Sequence, residues 1–365
     1  MLNIHPQTLN FIYFHFLTGV VLITIFRLVS GSYNGSTTSK GTLLFTFAIL
    51  LAMGLRPYNV PGVGRYFGDT INYYFSFMTA SSTYGEFNYK DPGFGLFTAF
   101  ISKYFSAGTY FFILSAFYIV PVYYAIKRLS PRHTFLLMLM FTTYFLFWAN
   151  GVNGIRIGVA SSWFLLGVTY KDKKSIQILL FALAVSFHLS IILPVIAYVL
   201  TFFYTNSKAY FVTWFTSIGL SLLLGGFWEK LFAGFDVGDE RFSVYLTSQS
   251  DADVFAYTGF RWDFLLYSSI PVVLGAFYLY KKNFNDKFYS QILNTYLIAN
   301  SFWILVIRSN FSNRFASLSW FLIPIIILLP LLKDRLLQNQ ESKIGLMLFF
   351  SFVFTYFMSF KFIWN

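Results

Sequence analysis

Cysteine is absent from the sequence, which excludes disulfides, thiolate metal sites and cysteine nucleophiles. Histidine is scarce. The four present, His5, His15, His133 and His188, show no metal-ligand spacing, so no metal is expected. No Walker A or Rossmann fingerprint occurs, so nucleotide-powered work and a nucleotide cofactor are not expected. No Gly-x-Ser-Gly segment accompanies His188, which removes a rhomboid-like protease. No internal repeat is evident, which disfavours secondary transporters. Charge is also sparse, at 11% of residues against about 25% in a soluble domain.

Hydrophobic side chains fill the space that charge leaves. They make up 57% of the 365 residues, and 49 of these are Phe. The apolar runs are continuous rather than alternating, which argues for helices over a barrel. The sequence therefore predicts an all-α, polytopic integral membrane helical bundle, a single transmembrane domain over 1–365. The first apolar run, 11–29, lacks a basic leader and a small-residue cleavage site, so no cleavable signal is expected.

Spans read at 11–29, 41–55, 105–126, 134–149, 154–170, 209–227, 263–280, 288–307, 315–332 and 344–363. Basic clusters at Lys127–Arg132, Lys171–Lys174, Lys281–Lys287 and Lys333–Lys343 mark four inner loops by the positive-inside rule. To keep all four on one side, residues 175–204 must cross and return, breaking near His188-Leu189-Ser190 or Pro194. The count becomes about twelve transmembrane helices with both termini outside. Two long outer loops follow, 56–104 and 228–262, with short interfacial or re-entrant helices expected in them. The net charge of +12 is mostly this inner-loop signal, so no nucleic-acid partner is expected and the bilayer is the first partner.

The type of outer charge is more informative than its amount. Inner loops hold four Arg against eleven Lys; the outer side holds seven Arg against four Lys. Topology does not require outer arginines. Their planar fork of donors matches phosphate and carboxylate, so the set suggests an anionic ligand such as a lipid pyrophosphate. Alternatively these residues pair with outer acids or snorkel to headgroups.

Arg156 lies about one turn inside a span, a costly place that marks a functional candidate. Asp69 follows Gly68 and stands four residues from Arg65; it either caps the next helix or serves as a surface carboxylate. Asp91 precedes Pro92-Gly93-Phe94 and again reads as a cap or as a group near the same site. His188 sits at the inferred break and either bonds a neighbouring helix or transfers a proton. In the second loop Arg241 and Tyr245 share a helix face and could meet a sugar. Arg308 and Arg314 bracket a short outer loop.

The order of these elements is familiar. A Gly-Asp element follows the second span, then come Asp91-Pro92-Gly93-Phe94, Asn153-x-x-Arg156, Phe187-His188-Leu189-Ser190 and late Arg-Phe pairs. Over about residues 40–330 this resembles the EpsG-type family of bacterial exopolysaccharide and O-antigen polymerases. Family members commonly carry Glu where this chain has Asp91, and Arg-Gln where it has Arg156-Ile157. The first change keeps the carboxylate; the second leaves no Gln to act. The resemblance implies a multi-pass protein of the bacterial cytoplasmic membrane that works at its outer face. It implies transfer of a glycan from undecaprenyl pyrophosphate to the next lipid-linked repeat unit. A chain-length regulator and a flippase are the protein partners it implies. Asp69, Arg156 and His188 are then the expected catalytic residues, with Asp69 preferred to His188 as base. Arg65, Asp91, Arg241, Tyr245, Arg308 and Arg314 are the expected substrate-binding residues. The competing functions are a flippase or transporter of lipid-linked sugar, or another polyprenyl-linked glycosyltransferase or ligase.

Overall fold

The apolar runs fold as helices. A computed structural model of the chain describes residues 4–33, 39–82, 91–233, 259–309 and 312–364, and among them there is no strand. Among the described residues six helical segments are long and apolar enough to cross a membrane: Pro6–Val29, Ala107–Leu129, Ser207–Phe232, Trp262–Lys281, Ser312–Lys333 and Gln340–Trp364. Four shorter apolar helices add to them: Lys40–Gly54, Ile155–Val168, Lys174–Phe187 and Leu189–Phe203. Large apolar side chains stand exposed along the outer helices, among them Leu22, Ile23, Phe26, Leu223, Phe350 and Phe357. Such a surface suits lipid, where apolar exposure costs nothing. The chain is a multi-pass membrane protein.

The first compact unit comprises residues 1–188 and 331–365. It contains α1 (Pro6–Val29), α2 (Ser39–Gly54), α3 (Val63–Phe67), α4 (Thr70–Ser82), α5 (Pro92–Tyr104) and α6 (Ala107–Leu129). Then come α7 (Thr134–Thr142), α8 (Phe147–Val152), α9 (Ile155–Val168) and α10 (Lys174–Phe187). Local sequence sets the ends. Pro6 starts α1, where its missing N–H costs nothing, and His5 caps the helix by accepting from the Gln7 amide at 3.3 Å. Ser106 Oγ accepts from the Thr109 amide at the start of α6.

Within this unit α6 packs on α2 and α9, and α9 packs on α10. The helices α3, α4 and α5 occupy the segment read from sequence as the first outer loop. The run 134–149, expected as one span, is instead α7 and α8 separated by a turn at 143–146. The Thr143 carbonyl, freed from the helix ladder, accepts from Ser351 Oγ at 3.0 Å and Thr355 Oγ1 at 2.7 Å. Those hydroxyls belong to the last helix, α17 (Gln340–Trp364), which satisfies the backbone polarity that the break exposes.

The second unit comprises residues 189–330. After a single 3-10 turn it holds α11 (Ile192–Phe203), α12 (Ser207–Ala233), α13 (Trp262–Ala276), α14 (Lys287–Leu305) and α15 (Ser312–Trp320). The helix α16 (Ile323–Lys333) follows in the chain. Helix α14 is fully buried along one side and packs on α11, α12 and α15. A polar knot ties this unit. The Asn300 side chain donates to Ser268 Oγ at 3.3 Å and Ser319 Oγ at 3.0 Å, and accepts from Trp214 Nε1 at 2.7 Å. Trp320 Nε1 also donates to Ser268 Oγ. Four helices thus meet at one fully buried amide. Replacing Asn300 by Leu removes three interhelical bonds, each worth roughly 0.6 kcal/mol inside a membrane. The expected loss is about 2 kcal/mol, read as a lower thermal transition in detergent; an unchanged transition would show that the knot adds no stability.

Candidate active site

Asp91 stands where a helix cap belongs, just before Pro92, with extended backbone angles. Its side chain makes no capping hydrogen bond. The carboxylate faces across to α9 instead, where Arg156 Nη1 donates to Asp91 Oδ2. The same oxygen lies 3.5 Å from His188 Nδ1, a distance that leaves this buried ring nitrogen without a hydrogen bond. Three elements therefore converge: the start of α5, the first turn of α9 and the end of α10. Exposure separates their parts. The Asp91 side chain is 4% exposed, while those of Arg156 and His188 are each 16% exposed. A ligand could touch the cation and the imidazole, whereas the carboxylate lies behind them.

Small residues permit this convergence. Gly93 lies against α10, and a Cβ there would overlap the Ser186 side chain. The contact brings the start of α5 up to the end of α10, two residues before His188. Phe94 follows, its ring 5.8 Å below the Arg156 guanidinium, a cation–π distance. Helix α10 ends at Phe187, and His188 takes extended angles that carry it out of the helix.

A second layer of hydrogen bonds fixes the turn before Arg156. Asn153 Oδ1 accepts from the Asp69 amide at 2.8 Å. Thr70 Oγ1 donates to the Val152 carbonyl. Gly68 connects α3 and α4 at φ +51°, and a Cβ there would collide with the Asn153 amide. Beneath them Arg56 is fully buried. It donates from Nε to Thr70 Oγ1 at 3.3 Å, and from Nη1 to the Met53 carbonyl at 2.5 Å and Ser115 Oγ at 3.2 Å. Its guanidinium lies 4.8 Å from the Phe111 ring centre. Arg56 thus ties α2, α4 and α6 under the turn that presents Arg156.

The Asp69 carboxylate accepts from Asn72 at 3.1 Å, within the first turn of its own helix. Arg65 is exposed on α3, its guanidinium 5.6 Å from the Tyr66 ring centre. Arg308 and Arg314 belong to the second unit, and Arg241 and Tyr245 lie outside the described residues. The structure therefore brings together Asp91, Arg156 and His188, and ties Asp69 to them through the Asn153 turn. Among the described residues no group of His, Asp and Glu could hold a metal ion.

The EpsG family model matches residues 42–365, nearly all of the chain and every residue of this site. The chain belongs to the EpsG family. Membership suggests a membrane function of the glycan-polymerase type. Among curated proteins and among solved structures no match to the chain was found. From sequence Asp91 reads as a cap or as a group near the same site, Arg56 as one of the seven outer arginines and Asn153 as part of the Asn153-x-x-Arg156 motif, while nothing singles out Ser186. The EpsG-type motifs named Asn153 and Gly93 only as spacing; their role as packing contacts emerges once α5, α9 and α10 are assembled.

Proposed function

We propose that the chain is a polysaccharide polymerase joining undecaprenyl-pyrophosphate-linked repeat units at the outer face of the bacterial cytoplasmic membrane. The observation that carries this reading is the Asp91–Arg156–His188 convergence within an EpsG-family chain. A cation and an imidazole, both partly exposed and both backed by one buried carboxylate, suit displacement of an anionic leaving group by a hydroxyl.

In the proposed step a hydroxyl of the acceptor repeat unit attacks the anomeric carbon of the donor glycan. The new C–O bond forms as the bond from that carbon to the pyrophosphate oxygen breaks. The hydroxyl proton passes to His188, and undecaprenyl pyrophosphate departs with the electron pair. Arg156 stabilises the charge that grows on the departing oxygen, the largest single contribution such a site can make. Asp91 orients Arg156 and offsets the charge that His188 gains. Asp69 is the alternative base, held at the same turn by Asn153. Arg65, Arg241, Tyr245 and Arg314 are proposed as further substrate contacts. On the proposed topology, about twelve crossings with the basic loops inside, the arginine-rich ends lie outside. A flippase should instead carry its charges through the middle of its spans, because its cargo must cross.

Gene deletion distinguishes the two. Surface glycan reduced to single-repeat chains on a gel is the expected outcome. Total loss of surface glycan would point to the flippase and overturn the polymerase.

A further inference from the structure

The second unit contains a polar cluster with more bonding capacity than it uses. Helix α12 kinks at Leu224, whose angles (φ −131°, ψ 30°) are not helical. One turn earlier, the Ser221 carbonyl accepts from Arg308 Nη1 at 2.5 Å. Gly225 makes room, since a Cβ there would overlap the Arg308 head group. Glu229 lies four residues after Gly225, both past the kink, so these two share a face of the second half of α12. That puts the Glu229 side chain one turn along from the contact between Gly225 and the Arg308 head group. On α12, and beside Arg308 in the chain, four buried polar atoms have no hydrogen-bond partner: Ser221 Oγ, Trp228 Nε1, Glu229 Oε1 and Ser309 Oγ. Ser221 and Ser309 are themselves more than nine-tenths buried.

Buried polar atoms are normally paired, so these four orphans require an account. A ligand that supplies both donors and acceptors would satisfy them. The charges narrow its chemistry. Arg308 alone would invite an anion, but Glu229 on the same face opposes a phosphate and balances the charge. Two serine hydroxyls, an indole N–H, a carboxylate oxygen and a guanidinium match the mixed donors and acceptors of a neutral polyol. Aromatic faces stand beside them: Trp228 stacks on Phe232, with centroids 6.1 Å apart, and the Phe260 ring lies 5.1 Å from the Arg308 guanidinium.

We propose that the Arg308–Glu229 cluster is a saccharide subsite that takes a neutral sugar residue of the repeat unit. The assignment rests on the polymerase reading for the identity of that sugar, but its chemistry stands on the cluster alone. It also changes the expectation for Arg308, from a pyrophosphate contact to a sugar contact.

The test uses the full chain in lipid nanodiscs. One probe is the repeat-unit oligosaccharide cut from the source organism's surface glycan, carrying neither lipid nor phosphate. The other is inorganic pyrophosphate. Glu229→Gln should weaken oligosaccharide binding about 10- to 100-fold, the loss typical of a charge-assisted hydrogen bond. It should not weaken pyrophosphate binding, because loss of the carboxylate removes only a repulsion toward an anion. Ser309→Ala removes one hydroxyl with little risk to folding and should cost about 5-fold. Unaltered oligosaccharide affinity in both variants would mean that the cluster holds only water, and would overturn the subsite. So would displacement of the bound oligosaccharide by inorganic pyrophosphate in the wild-type chain, which would show that the cluster takes an anion despite Glu229. The polymerase reading fails separately. A wild-type chain that binds the oligosaccharide in a Glu229-dependent way, yet does not extend lipid-linked repeats, keeps the subsite and loses the polymerase.

Discussion

Cells carrying Arg156→Ala, compared with wild type at matched protein level, should make surface glycan of single repeats only. Loss of one preorganised donor to a developing negative charge typically lowers turnover about 10²- to 10³-fold. A polymer that needs many successive transfers would then show no ladder. Arg156→Lys should fare little better, because an ammonium is a point charge and lacks the planar fork. Asp91→Asn leaves the Arg156 guanidinium in place without its buried counter-charge. Breaking a buried pair in this way costs about 3–5 kcal/mol, so this variant should lose stability as well as activity. The double exchange Asp91→Arg with Arg156→Asp separates the two effects. It restores an ion pair between α5 and α9, and with it much of the stability, but puts the cation on the buried side. Restored laddering in that exchange would mean that the pair serves only to hold the helices, and Arg156 would lose its place in the chemistry.

Much of this site was legible in the sequence, for a physical reason. An arginine at the start of an apolar span is too costly to keep without a use, so Arg156 stands out from composition alone. The break at His188 followed from loop charge, since four basic loops cannot share one side unless residues 175–204 turn back. The structure places the end of α10 at Phe187, with His188 as the connecting residue. Asp91 was less legible. An acid before Pro-Gly has a sufficient local explanation as a cap, and only the distance to Arg156 shows that its side chain is employed elsewhere.

Other residues were hidden because their roles depend on who their neighbours are. Arg56 looked like one more outer arginine, but it is fully buried and holds Thr70, Ser115 and the Met53 carbonyl. Its work is structural support under the Asn153 turn, which charge counting cannot distinguish from ligand binding. Thr143 sits in an unbroken apolar run, and nothing local announces a break there. Its carbonyl is released because Ser351 and Thr355, some two hundred positions later, can bond it. Glu229 lies just past the expected end of a span, where a single acid reads as solvated until the kink at Leu224 and the approach of Arg308 are seen.

Gly93→Ala should be nearly as damaging as loss of Arg156, although it removes no functional group. The added methyl group would occupy space held by the Ser186 side chain, and the start of α5 would have to move away from α10. Overpacking of this kind costs about 1–3 kcal/mol, which a multi-pass protein can survive. The activity should suffer far more. Asp91 lies two residues from Gly93, and its oxygen is already 3.5 Å from His188. A displacement of about 1 Å at a reacting constellation can cost on the order of 10²-fold in rate. Ser186→Gly offers the compensating change. The Ser186 hydroxyl donates within its own helix, to the Leu183 carbonyl at 2.8 Å, so its removal breaks no hydrogen bond between α10 and α5. The double variant should recover a ladder that Gly93→Ala lacks, at a stability cost of about 1 kcal/mol for glycine within a helix. Equal laddering in Gly93→Ala and wild type would show that the α5–α10 contact does not set the site. Failure of Ser186→Gly to restore any of it would place the damage elsewhere than at this contact.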